Sequence, residues 1–474
     1  MPSLTLSARL VAHVTLEGRA DGTLAVCFDG HSVGFGRLSA GAAECAQVLR
    51  TGLPLSAFAS DRRRIDKEVQ LLAQRLAAHG LLEYRLAQAR TGADEVIIEP
   101  QVPDYWPRVA PLRSADIVAL SRFAYIRRRG NDMVLESPRA GALFKLCNPK
   151  IATALAILAR PQQIGKFRRQ KGFPGNELLA LLLDCHILFK VDPARGALRP
   201  AEGDDGLVLW DFHDLLFHAR STQGRHANPL GAVAPYADTI APSPALRPQW
   251  PGKKIDLRKL SAQDVQAISP AAKLLRERHS IRSFDDRRPL ALAELARFLG
   301  ASAQVHSRFK SRLAGDHGPE LTYAARPYPS AGAAWEIELY LAVDNCEGLE
   351  RGFYHYDAGA HALVAIPVRA HELAAMLKDA EFAMAAPATP QVLITIAARF
   401  ARVAWKYSSL AYALILKDVG VLMQTLYLMA TDMGLGGCAV GTANIDLFAK
   451  MTGVPFHVEG PLGQFAIGRP QSLP

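Results

Sequence analysis

Arg278-His279-Ser280-Ile281-Arg282-Ser283-Phe284 gathers two guanidinium groups and a hydroxyl in one short run. Arg278, Ser280 and Arg282 alternate, so an extended backbone points all three to one side. On a helix, Arg278 and Arg282 again share a face. Either conformation suits a phosphate dianion, because guanidinium forks and a hydroxyl are its natural donors. The same letters also fit a solvated basic turn. From about Lys273 onward, helix patterns (Leu290 to Leu299, His371 to Leu377, Leu410 to Met433) alternate with strand-like runs. Those runs are Ile337 to Val343, Val392 to Ile396 and Gln464 to Ile467, which makes this part α/β. The helix from about Ser408 is apolar nearly all round and is expected to be buried. Lys417, Asp418 and Gln424 interrupt it, which argues against a membrane span.

The whole chain has 474 residues, enough for about three domains. Hydrophobic residues at 49% and charged residues at 21% exclude wholesale disorder, a collagen-like fibre and a linker-dominated chain. Arg9 and His13 break the apolar run at the amino terminus, so no signal peptide is expected. The six cysteines form no Cys-x-x-Cys pair and none has zinc spacing to a histidine. The expectation is a reduced, cytoplasmic protein without a metal and without a membrane anchor. The net charge of +10 points to an acidic partner: nucleic acid, an acidic peptide or a phosphate-bearing cofactor. No phosphate loop of the Gly-x-x-x-x-Gly-Lys type, nucleophile elbow or kinase signature is present.

Four prolines between Pro242 and Pro251 mark a linker or an ordered arm over 238–260. Upstream, two stretches share an order of strands, helices and a closing strand. The first runs through Leu24 to Phe28, Ala40-Gly-Ala42, a helix at Arg62 to His79 stopped by Gly80, and Leu81 to Leu86. The second runs through Phe123 to Ile126, Ala140-Gly-Ala142, helices at Ile151 to Ala159 and Glu177 to Asp184, and Ile187 to Val191. This suits a small winged-helix-like unit used twice, over 1–105 and 106–237, ahead of a domain at 261–474. The basic runs Arg62 to Arg64, Arg127 to Arg129 and Lys166 to Arg169 are either solvated faces or sites for an acidic ligand, DNA or peptide.

Three further motifs carry chemistry. Arg326-Pro-Tyr-Pro329-Ser330-Ala-Gly332-Ala333 is a loop before a strand, where Ser330 offers a hydrogen bond and Gly332 a close backbone approach. Gly434-Leu-Gly436-Gly-Cys-Ala439 imitates a dinucleotide fingerprint but follows a helix instead of a strand, so Gly434 reads as a helix stop. Trp405-Lys406-Tyr407 places two titratable groups together, either of which could serve as a base near neutral pH.

In this order the motifs resemble the nitroreductase superfamily, with Gly468-Arg469-Pro470 similar to its closing phosphate contact. Within it the chain is most similar to SagB-type dehydrogenases, the azoline oxidases of microcin and cyanobactin type. Lys406-Tyr407 falls where their catalytic pair stands, and the doubled upstream units look like the peptide-clamp domains of the longer members. Trp210 to His218 looks like their connector, with His213 and His218 read as paired core histidines. The resemblance implies an α/β (α+β) FMN domain with a mixed sheet flanked by helices. It implies a homodimer with the flavin at its interface. Arg278, His279, Ser280, Arg282 and Arg469 would hold the phosphate end, and Pro329, Ser330, Gly332, Gly436 and Gly441 would line the flavin. The implied reaction oxidises thiazolines or oxazolines in a ribosomal peptide to thiazoles or oxazoles, with dioxygen as final acceptor. Its partners would be a precursor peptide held by its leader, and a cyclodehydratase. Two alternatives stand beside it: an NAD(P)H-dependent nitro or quinone reductase, and a nucleic-acid-binding regulator built on the upstream half.

Overall fold

The computed structural model describes residues 4–19, 23–28, 31–58, 64–102, 104–191, 202–222, 237–247, 251–257, 269–312 and 318–471. The chain divides into two compact units, Met1–Ala227 and Asn228–Pro474. Described residues of the Pro-rich stretch form neither helix nor strand, and nearly all are exposed. The rest of it, and Arg62 and Arg63 of the first basic run, lie outside the described residues.

In the first unit an antiparallel seven-stranded sheet runs in the order Leu53–Pro54, Leu4–Leu10, Leu82–Gln88, Asp94–Pro100, Ala142–Leu146, Asp132–Glu136, Tyr125–Arg129. Phe144 sits opposite Ile98, so strands from both sides of the expected 105/106 boundary share this sheet. They also share one core, in which Leu72, Leu86, Ile98, Phe144 and Leu182 pack together. Ala40-Gly-Ala42 opens a helix, Ala40–Val48, but the matching Ala140-Gly-Ala142 leads into a strand. Leu143 and Phe144 are buried there and pair across to Glu99 and Ile98, so sheet pairing overrides the small-residue cue.

The basic runs are spent on internal bonds only in part, with Arg128, Lys166 and Arg169 exposed. Arg127 pairs with Glu136 at 2.6 Å and Arg129 with Glu99 at 2.6 Å. Arg168 donates to Asn176 Oδ1 and to the Leu112 carbonyl. Glu136 is buried, and it also takes Arg220 from the helix Phe212–Ser221 and the Tyr125 hydroxyl. Only one of the two connector histidines is a core residue. His218 is fully buried and stacks on Trp210, whereas His213 is exposed beside its N-cap, Asp211.

The second unit is built on a six-stranded sheet. Its order is Ala362–Ile366, Gly352–Asp357, Ile337–Val343, Val392–Arg399, Glu459–Gly468, Gly436–Val440. Every pairing in it is antiparallel, against the expectation of a mixed sheet. Short hairpin connections at 344–351 and 358–361 force that direction on the first three strands. Among the described residues, parallel pairing is confined to a separate two-residue pair, Leu290–Ala291 with Cys346–Glu347. Side chains alternate between the faces. Tyr340, Ala342, Phe353 and Ala466 pack under the helices Ala370–Met384 and Ile445–Thr452. On the other face lie the long helix Ala411–Asp432 and the helix Leu292–Ala303.

The long helix is buried on one side only. Ile415, Val419, Leu422 and Leu426 face the sheet, while Ala413, Lys417, Gly420 and Val421 are exposed. It alone among the described helices is long and apolar enough to cross a membrane. It ends as expected, with Gly434 at φ +65° and the Leu435 N–H returning to the Ala430 carbonyl at 2.8 Å. A Cβ on Gly437 would stand 2.6 Å from Phe465 Cζ, on the neighbouring strand and fully buried. Gly437→Ala should therefore cost about 1–3 kcal/mol by overpacking, measured as a drop in the urea midpoint at unchanged slope.

Candidate active site

The first group of site residues forms along the edge strand Gly436–Val440. The chain from Arg278 is extended there: the Ile281 N–H donates to the Gly437 carbonyl at 2.9 Å, and the Asp285 N–H to the Arg469 carbonyl at 2.9 Å. Phe284 bridges to Pro470. Three motifs far apart in sequence thus lie side by side. Glycines allow it, since a Cβ on Gly436 would stand 2.9 Å from Ile281 and one on Gly468 2.8 Å from Phe284. The room above Gly436 is filled by this chain's own side chains, so its glycine character is explained by packing.

Tyr427, from the long helix, ties the group together. Its hydroxyl lies 2.7 Å from Ser280 Oγ and accepts from the Ala439 N–H at 2.8 Å. The Arg278 guanidinium covers its ring at 5.0 Å. Arg282 reaches the thiol of Cys438, whose pKa burial pushes up. Neither Arg278 nor Arg282 has a carboxylate partner among the described residues. His279 is exposed, with Nδ1 2.9 Å from the Glu277 carbonyl. Arg469 is already engaged, donating to Glu294 at 2.5 Å. Gln391 fixes its backbone: Oε1 accepts from the Arg469 and Leu290 N–H groups, and Nε2 donates to the Asp285 carbonyl.

The second group is the turn after Pro329. Gly332, Ala333 and Trp335 all have positive φ, a costly run for non-glycine residues. Hydrogen bonds hold it. Ser330 Oγ lies 3.0 Å from Asp418 Oδ2 and 3.1 Å from Glu336 Oε2, and accepts from the Trp335 N–H at 2.9 Å. The Ala331 N–H also donates to Asp418, at 2.8 Å. At the base, Arg326 donates to the Ile337 carbonyl and Trp335 Nε1 to the Tyr328 carbonyl. Arg402 donates to the Ala334 carbonyl at 2.9 Å.

Lys406 and Tyr407 meet this turn at Gly332. Lys406 Nζ donates to the Gly332 carbonyl at 2.7 Å and to the Tyr323 hydroxyl at 3.3 Å, 4.5 Å from the Tyr323 ring centre. Tyr323 comes from a hairpin, Ser307–Arg312 with Glu320–Ala325, and stacks on Phe309 at 5.1 Å. The Tyr407 hydroxyl stands 2.4 Å from where a Cβ on Gly332 would be. Only glycine fits at 332, for both φ and space.

The two groups hang from opposite faces of one helix. Asp418 and Tyr427 are nine residues apart, about 14 Å along the axis and half a turn in azimuth. Gly441 stands apart, exposed at the end of its strand with nothing near its Cβ position. Sequence reasoning missed Glu336, Tyr323, Gln391 and Tyr427 as site residues. Asp418 carried a usable signal, an acid on the buried face of an apolar helix.

Fold and site together define an antiparallel sheet between helices, with a basic cradle at one edge and a Lys-Tyr pair seated on a glycine turn. The nitroreductase family matches residues 275–469, and the cyanobactin oxidase family, ThcOx, matches residues 118–227. A protein named as a nitroreductase from Methanocaldococcus jannaschii is 33% identical over 189 residues, covering 39% of this chain and 85% of that protein. The chain belongs to the nitroreductase family. The cyanobactin-oxidase match, outside the nitroreductase domain, bears out the resemblance to the SagB-type azoline oxidases. Among solved structures, a protein named as a nitroreductase from Ralstonia eutropha JMP134 is 24% identical, over 44% of this chain and 87% of that one, with TM-score 0.33. A chain of the Escherichia coli microcin synthetase McbBCD complex with truncated pro-MccB17 bound is 20% identical, over 59% and 100%, with TM-score 0.39.

Gly332→Ala should lose about 1–3 kcal/mol in urea unfolding, because it adds both backbone strain and a clash with Tyr407. Gly441→Ala, with open space around it, is the near-neutral control.

Proposed function

We propose that this chain is an FMN-dependent azoline oxidase that converts thiazolines or oxazolines in a ribosomally made peptide to thiazoles or oxazoles. The observation that carries the reading is the seating of Lys406 and Tyr407 on Gly332, in the turn whose resemblance implies a flavin wall. The cradle suits the cofactor's phosphate. Arg278 and Arg282 lack carboxylate partners among the described residues, and two guanidinium forks match a dianion. Arg469, bonded to Glu294, would have to exchange that carboxylate for the phosphate to join them. Bound there, FMN would supply the hydride acceptor. The protein's task is to place the ring and remove the proton from the former α-carbon, which needs a base within about 3 Å. That base is Lys406 or Tyr407, with Lys406 oriented by the Gly332 carbonyl and the Tyr323 hydroxyl. Dioxygen is the final acceptor.

Two copies would complete one site. A single helix carries the cradle and the turn on opposite faces, and its exposed side offers Ala413, Gly420 and Val421 to a partner copy. In the first unit, Tyr125–Arg129 is an edge strand with Arg128 exposed, suited to adding a strand from an acidic leader. A cyclodehydratase would supply the azoline.

The purified protein should be yellow, with a flavin absorption spectrum; a colourless product that takes up no FMN refutes the reading. Lys406→Ala and Tyr407→Phe should keep the flavin but form azoles about 100-fold more slowly or worse, followed by mass loss in an azoline peptide. Arg278→Ala should release flavin on desalting. One alternative is an NAD(P)H-dependent nitro or quinone reductase; the Methanocaldococcus jannaschii relative is named as a nitroreductase, and rapid flavin bleaching by NAD(P)H without azole formation would select this alternative.

A further inference from the structure

Three oxygen atoms meet beneath the Gly332 turn: Ser330 Oγ, Glu336 Oε2 and Asp418 Oδ2. Ser330 Oγ is 3.0 Å from Asp418 and 3.1 Å from Glu336, so one hydroxyl stands between two carboxyl groups. The serine has one proton and can donate to one of them. With both acids ionised, the other contact would set a bare carboxylate oxygen against a lone pair. A second proton is therefore required, and the surroundings say which acid carries it. Asp418 receives the Ala331 N–H, so its charge is compensated. Glu336 is fully buried, and its Oε1 has no hydrogen-bond partner among the described residues. An unpartnered carbonyl oxygen costs far less to bury than an unpartnered charge.

We propose that Glu336 is a positioning residue, held as the neutral acid, which donates to Ser330 while Ser330 donates to Asp418, and so locks the turn that seats Lys406 and Tyr407. Every hydrogen-bonding position of Ser330 Oγ is then used, since it also accepts from the Trp335 N–H. Glu336 immediately precedes the strand Ile337–Val343, and its own carbonyl accepts from the Arg399 N–H at 3.0 Å. The titratable groups facing it are Asp418 on the long helix, Arg402 on Ala401–Ala404 and Tyr328 on the incoming loop. Burial, then the Asp418 charge, raises the Glu336 pKa to about 7, against the pull of Arg402 and the Ser330 hydroxyl. Below that value the network is complete. Above it the added charge repels Asp418 and the turn loosens, so the order of the turn falls as pH rises.

This deepens the reading of the turn as part of the catalytic site, but its test needs neither flavin nor peptide. Trp335 lies next to Glu336 with its indole N–H on the Tyr328 carbonyl, so its fluorescence reports the turn. The full-length protein should show a step in tryptophan emission with a midpoint near pH 7. The step should vanish in Glu336→Gln, whose amide still donates but does not titrate, and in Trp335→Phe. No step in the wild type, or the same step in Glu336→Gln, overturns the proposal. In azole formation Glu336→Gln should retain at least about tenfold more turnover than Glu336→Ala, the factor expected for about 1.4 kcal/mol. Equal loss in both variants, with the wild type active, also overturns it. An inactive wild type would refute the peptide reading and leave the fluorescence result to decide this one.

Discussion

Asp418 places a carboxylate on the buried side of the most apolar helix in the second unit, where it holds the Ser330 hydroxyl and the Ala331 N–H. The turn it holds cannot stand on local preference. Three of its residues have positive φ and two of those are not glycine, a strain of order 1–3 kcal/mol each. Charge-assisted hydrogen bonds of about 1.5–3 kcal/mol each are of the right size to offset that. Without them the Gly332 carbonyl would not be presented to Lys406, nor the glycine face to Tyr407. The chemistry of the site therefore begins with an acid that touches none of the candidate catalytic groups.

On the opposite face of the same helix Tyr427 does the corresponding work with neutral groups. It takes the Ala439 N–H and meets Ser280, fixing the basic segment against the edge strand. The absent side chains of Gly436 and Gly468 let that segment lie close enough for backbone pairing. Arg278 and Arg282 are left with their charge uncompensated by any described carboxylate. Arg469, tied to Glu294, is the one arginine of the group with a competing partner.

Much of the second unit was legible because its signals are local. Ile337 to Val343 reads as a strand from composition and is one residue for residue. The long helix and its stop at Gly434 follow from periodicity and a single glycine. The Lys406-Tyr407 pair was found as two adjacent letters, but its seat on Gly332 lies 74 residues away and has no local trace. The same holds for Gln391, which joins residues 285, 290 and 469 through one amide. In the first unit, similar stretches suggested a repeat, yet Ala140-Gly-Ala142 enters a strand where its counterpart opens a helix. That choice is made by Ile98 and Glu99 across the sheet, and a propensity argument does not contain them.

The helix that carries Asp418 and Tyr427 acts as a spindle with two fixed pegs. Nine residues set the pegs half a revolution apart. A single inserted or deleted residue between them would turn one peg by about 100° against the other while sliding it about 1.5 Å. Substitutions along this segment can be absorbed by repacking, but a change in its length cannot. Evolutionary drift in this stretch should therefore run through residue identity and leave the count of residues alone.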